Sequence, residues 1–63
     1  MENEKLNMSL RKFLKHLGVT AQQHIEEAVR TSGKSSGKVA ISGRVVAPDI
    51  GLDHVIEGEL ELD

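Results

Sequence analysis

Leu17-Gly18-Val19-Thr20-Ala21-Gln22-Gln23 decides how the first half of this chain is read. Thr20 followed three residues later by Gln23 has the spacing of a capping box, in which the two side chains satisfy free N–H groups at a helix start. Gly18 suits the left-handed position just past the end of a preceding helix. The stretch therefore predicts a break: one helix ending at Leu17, a turn through Gly18, Val19 and Thr20, and a second helix beginning at Ala21.

Upstream of the break, Leu6, Leu10, Phe13, Leu14 and Leu17 recur at the spacing of one stripe on a 3.6-residue helix. Arg11, Lys12, Lys15 and His16 fall on the remaining faces. Asn3 can cap this helix with Glu4 in its first turn, and Asn7 can cap a shorter version. The predicted span is residues 4 to 17. Downstream, Ala21, Ile25, Ala28 and Val29 form a narrower stripe on a second helix over residues 21 to 31. The short turn makes the two helices neighbours, with Val19 plugging the corner between them.

Farther along, Thr31-Ser-Gly-Lys-Ser-Ser-Gly37 is small and polar, which predicts a flexible linker at residues 32 to 37. The apolar period then changes to two. Val39, Ile41 and Val45 alternate with Ala40, Ser42 and Arg44, and after Pro48-Asp-Ile-Gly51 a second run sets Ile56, Leu60 and Leu62 against Glu57, Glu59 and Glu61. Strands are predicted over residues 38 to 47 and 54 to 62. A hairpin with both apolar sets on one face results when Val39 pairs with Leu62, Ile41 with Leu60 and Val45 with Ile56. That register sets Gly43 opposite Gly58, Arg44 opposite Glu57 and Lys38 opposite Asp63. Phe13, the only aromatic residue, is then the candidate to fill the hollow over the glycine pair. The predicted fold is α+β: a single small domain, residues 1 to 63, with two N-terminal helices packed on a C-terminal two-stranded antiparallel β-hairpin.

Sixty-three residues lie near the lower limit for a self-sufficient core, and the chain has no cysteine to supply a disulfide or a zinc knuckle. Self-association or a partner is therefore expected to add stability. The net charge of −2 is too small to argue for nucleic acid or membrane from the total, but it is unevenly spread. All eight bases lie between Lys5 and Arg44, whereas Val45 to Asp63 carries six acids and no Lys or Arg. Met-Glu-Asn-Glu-Lys at the start lacks the features of a signal peptide, and no apolar run approaches the roughly 20 residues that span a bilayer, so a cytoplasmic location without membrane contact is expected.

The constellations that resemble chemistry fail on mechanism. Gly33-Lys-Ser-Ser-Gly37-Lys38 is one residue short of a phosphate loop, places Val39 where a hydroxyl should hold magnesium, and leads into a strand rather than a helix. Leu14 to Thr20 resembles the turn of a helix-turn-helix. However, the apolar residue that seats the second helix is Ile25, one position late, which rotates the reading face by about 100°. Glu57, Glu59 and Glu61 stand about 7 Å apart along one strand face, a spacing that superficially suits a glycosidase pair, yet no Trp or Tyr stacks a sugar and no cleft raises a carboxyl pKa. Asp49, Asp53 and Glu57 lack the further ligands of a calcium loop, and His16, His24 and His54 lack metal-ligand spacing. No catalytic residue, cofactor, metal or small-molecule substrate is expected.

Asn7-Met-Ser-Leu-Arg-Lys-Phe-Leu-Lys15, Gly18-Val-Thr-Ala-Gln22, Ile25-Glu-Glu-Ala-Val-Arg30 and Leu52-Asp-His-Val-Ile-Glu-Gly-Glu-Leu-Glu61 together resemble a family of small uncharacterised bacterial proteins. The resemblance implies a bacterial cytosolic origin and brings no activity with it. The function expected from the residues is that of a non-enzymatic interaction module, docking to a protein partner or pairing with itself as a homodimer through a strand edge. Its candidate faces are Arg11, Lys12 and Lys15 on the first helix and Glu57, Glu59 and Glu61 on the second strand. The alternative is contact with nucleic-acid phosphates through Arg11, Lys12 and Lys15.

Overall fold

The structure, a computed structural model, describes residues 3 to 63. The fold is α+β, with one helix, α1 (Glu4–Ser32), followed by the strands β1 (Lys38–Ala47) and β2 (Leu52–Glu61), which a 3-10 turn (Pro48–Ile50) connects. The chain divides into two compact units, the first running to Gly33 and the second from Lys34 to Asp63.

The two helices predicted at residues 4 to 17 and 21 to 31 are a single helix of 29 residues. Gly18 is not among the residues with positive φ; it stays helical, and the left-handed cap is Gly33 at φ 75° and ψ 0°. The Thr20 hydroxyl, expected to cap a second helix, donates instead to the His16 carbonyl one turn back at 2.9 Å. Energetics explain the correction. A glycine inside a helix costs about 1 kcal/mol, whereas breaking the helix there would leave up to four N–H and four C=O groups without intrahelical partners. Phase explains it too, because Ala21 follows Leu17 by four residues and Ile25 follows Ala21 by four, so one apolar stripe runs past Gly18 uninterrupted. The start is as expected, with Asn3 extended and its side-chain oxygen accepting the Leu6 N–H at 3.0 Å. At the far end the Thr31 and Ser32 hydroxyls donate to the Glu27 and Val29 carbonyls.

In the second unit β1 and β2 pair antiparallel, but in a tighter register than expected: Val39 faces Leu60, Ile41 faces Gly58, Gly43 faces Ile56, Val45 faces His54 and Ala47 faces Leu52. The connection is the reason. Pro48 supplies the fixed φ at the start of the 3-10 turn, Gly51 takes φ 69°, and its N–H donates to the Pro48 carbonyl at 3.1 Å. This closes a four-residue loop, so pairing begins at Ala47 and Leu52 and draws Leu52 and Asp53 into the strand. The slip moves each partner by two residues, which preserves the faces. It separates the glycines, however. A Cβ on Gly43 would lie 3.6 Å from Cγ2 of Ile56, and one on Gly58 would lie 3.9 Å from Cγ2 of Ile41. The space over each glycine is thus taken by the isoleucine across from it, so the paired-glycine hollow expected on the sheet does not form. At the open end Leu62 N–H donates to the Gly37 carbonyl at 3.0 Å, and Gly37 N–H donates to the Asp63 carboxylate at 3.2 Å.

Val39, Ile41, Val45, Ala47 and Leu60 share one sheet face and are half-buried, whereas the other face carries Lys38, Ser42, Arg44, Glu57, Glu59 and Glu61. In the helix Thr20, Ala21, Ile25 and Val29 reach the same intermediate level. No described residue of either unit is buried. Leu6 remains 56% and Phe13 50% exposed.

A cap and an interior glycine respond oppositely to a methyl group. Gly18→Ala, with open space around the added Cβ, is expected to stabilise the helix by about 1 kcal/mol. Gly33→Ala, strained at positive φ, is expected to destabilise it by about 1 kcal/mol. Thermal melts followed by circular dichroism check both signs; destabilisation by Gly18→Ala would restore the two-helix reading.

Candidate interaction surfaces

The basic candidates are brought together by helix phase. Lys12 follows Lys5 by seven residues and Lys15 follows Lys12 by three, which keeps them on one side of α1, away from the apolar stripe. Lys5, Arg11, Lys12 and Lys15 border a shallow open depression whose remaining lining is Glu4, Met8 and Ser9. A second, smaller one lies between Lys12, Lys15, His16 and Val19. Val19, expected to plug a corner between helices, is therefore 51% exposed among bases. Met8, at 66%, gives this charged side a second apolar spot. The sequence carried the signal for both: on an unbroken helix, positions 8, 12, 15 and 19 share a face.

Glu57, Glu59 and Glu61 line one face of β2, opposite Ser42, Ala40 and Lys38 respectively. Glu57 borders a small open depression with Ala40, Ile41, Ser42 and Gly58. The expected partnership of Arg44 with Glu57 gives way to another. In the tighter register Arg44 faces Val55, and its guanidinium reaches diagonally to Asp53, donating through Nε and Nη2 to the two carboxylate oxygens at 2.9 Å each. This two-point geometry is the strongest form of arginine–carboxylate contact. The hydrogen bond to Asp53 raises the Arg44 pKa above its ordinary value, against a slight opposing desolvation. Lys38, expected to face Asp63, faces Glu61.

On the helix, Arg30 pairs with Glu27 one turn back, and the Gln22 amide donates to Glu26 at 3.2 Å. Among the described residues no three His, Cys, Asp or Glu side chains gather as a metal would need. No helix of the described residues is long and apolar enough to cross a membrane.

The model of a sequence family described as a family of unknown function (DUF6494) matches residues 1–63. The chain belongs to that family. No curated protein and no solved structure matches it. Membership agrees with the resemblance drawn from the Asn7–Lys15 and Leu52–Glu61 stretches and assigns no chemistry.

The Arg44–Asp53 pair has a spectroscopic signature. Held by Asp53, the Arg44 Nε–H is expected to give a resolved, slowly exchanging resonance near neutral pH, which Asp53→Asn removes. A signal unchanged by that substitution would show that the two-point contact does not persist in solution.

Proposed function

We propose that this chain is a non-enzymatic protein-interaction module that completes its hydrophobic interior by binding protein, whether a partner or a second copy. The observation that carries this reading is that no described residue is buried although an apolar stripe runs the length of α1 and an apolar face covers one side of the hairpin. Each fully buried Leu, Val or Phe contributes about 1.5–3 kcal/mol, and a chain of this length has little else to offset its ordering entropy. A two-stranded sheet also leaves two edges whose N–H and C=O groups can accept another strand.

A binding module of this kind has stability linked to concentration. The unfolding temperature is expected to rise by several degrees between about 1 and 100 µM chain, or on addition of the partner, because anything that binds only the folded state stabilises it by mass action. A strict monomer by sedimentation equilibrium, with a concentration-independent melt and amide protons as slow at the strand edges as at the centre of the sheet, would overturn the reading.

A second reading, contact with nucleic-acid phosphates, is favoured by the grouping of Arg11, Lys12 and Lys15 with Lys5 on one side of the helix. Three or four neutralised phosphates give a salt slope of roughly −3 for duplex DNA. Reversing the charge of Lys12 and Lys15 is expected to abolish binding at 50 mM salt; no binding by the unaltered chain removes this reading.

A further inference from the structure

The apolar stripe of α1 is graded in size and the helix is graded in charge, in opposite halves. Its N-terminal half presents Leu6, Leu10, Phe13, Leu14 and Leu17, whereas its C-terminal half presents Ala21, Ile25, Ala28 and Val29. The N-terminal half carries Lys5, Arg11, Lys12 and Lys15 against Glu4; the C-terminal half carries Glu26 and Glu27 against Arg30. Lys5 also lies in the first turn, where the helix macrodipole is already positive.

Resting on the interaction reading above, we infer that the helix stripe is a homodimer interface in which two copies of α1 pack antiparallel about Leu17. The occupant is fixed by complementarity of the chain with itself. Antiparallel packing about Leu17 sets Phe13 of one copy across from Ala21 of the other, Leu6 across from Ala28, and Leu17 across from its own counterpart. Large side chains then meet small ones at the Leu6–Ala28 and Phe13–Ala21 pairs, while Leu10 meets His24. Parallel packing would set Phe13 beside Phe13 and Ala28 beside Ala28, forcing the helices apart at one end and leaving voids at the other. The same antiparallel arrangement opposes the two macrodipoles. Contact over about 33 Å of helix removes on the order of 1,200 Å² from water, the lower end of what a specific dimer buries.

Because the chain contains no cysteine, single introduced thiols report the geometry of the full protein without interference. Leu17→Cys is expected to oxidise rapidly to a disulfide dimer. Leu6→Cys alone is not, since its two copies would lie about 33 Å apart while a disulfide needs Cα atoms within about 7 Å. A mixture of Leu6→Cys with Ala28→Cys is expected to cross-link at least about tenfold faster than Leu6→Cys with itself. Leu17→Asp is expected to raise the dimer dissociation constant about 100-fold or more, by leaving a carboxylate without a partner at the centre of the contact. Should that variant fail to fold, the cysteine series still decides. Efficient Leu6→Cys self-coupling would overturn the antiparallel assignment, and a sedimenting dimer without any helix cross-link would overturn the helix interface in favour of a strand edge; both leave the interaction reading intact. A monomer that binds vesicles of phosphatidylglycerol and phosphatidylcholine through the same stripe would overturn the inference by naming a lipid surface as the occupant. A monomer with a concentration-independent melt and uniformly slow amides would overturn the interaction reading itself.

Discussion

Apolar surface that neither unit covers by itself is the constraint on which everything else depends. Each unit organises its hydrophobic residues onto one side, the helix by a period near 3.6 and the hairpin by a period of two, yet neither closes a core. Burial is the principal favourable contribution to folding, and it grows with chain length faster than surface does. A chain of 63 residues divided into two units gains little of that advantage. The local devices are correspondingly complete: a side-chain cap at Asn3, a left-handed glycine at Gly33, hydroxyls tied back along the helix, and a two-point ion pair across the sheet. These fix shape and direction. They do not replace an interior.

Much of the fold was legible because it is written locally. Asn3, the five large residues from Leu6 to Leu17 and the strand alternation identified the right kinds of elements in the right order. The expected break at Gly18 rests on turn chemistry, which the helix phase overrides. Glycine and a Thr-x-x-Gln spacing are each compatible with a helix interior, whereas two apolar stripes that join without a phase shift are hard to reconcile with a turn of three residues. Thr20 illustrates the ambiguity, since the same hydroxyl that caps a helix start can bond the carbonyl one turn back.

The hairpin register departs from expectation for a different reason. Setting both apolar runs on one face is satisfied equally by registers two residues apart, and the structure follows its loop, where Pro48 and Gly51 define the closure two residues tighter. Face assignment survived because a shift of two preserves the alternation; individual partners did not survive, so Arg44 exchanged Glu57 for Asp53. The same distinction holds for the candidate surfaces. Arg11, Lys12 and Lys15 share a side by helix phase alone, and Met8 joins them within the same expected helix, whereas Val19 comes among them only because the helix is continuous.

The exchange of glycine and isoleucine across the strands has a topographic consequence. Ile41 and Ile56 occupy diagonal corners of adjacent pairs, each leaning over the bare backbone opposite it. The apolar side of the sheet is therefore crossed by a slanted crest, with lower ground at the other two corners. Any rod-shaped body laid on that terrain meets a preferred bearing oblique to the strands, so two small residues set an angle of approach that the strand direction alone would leave free.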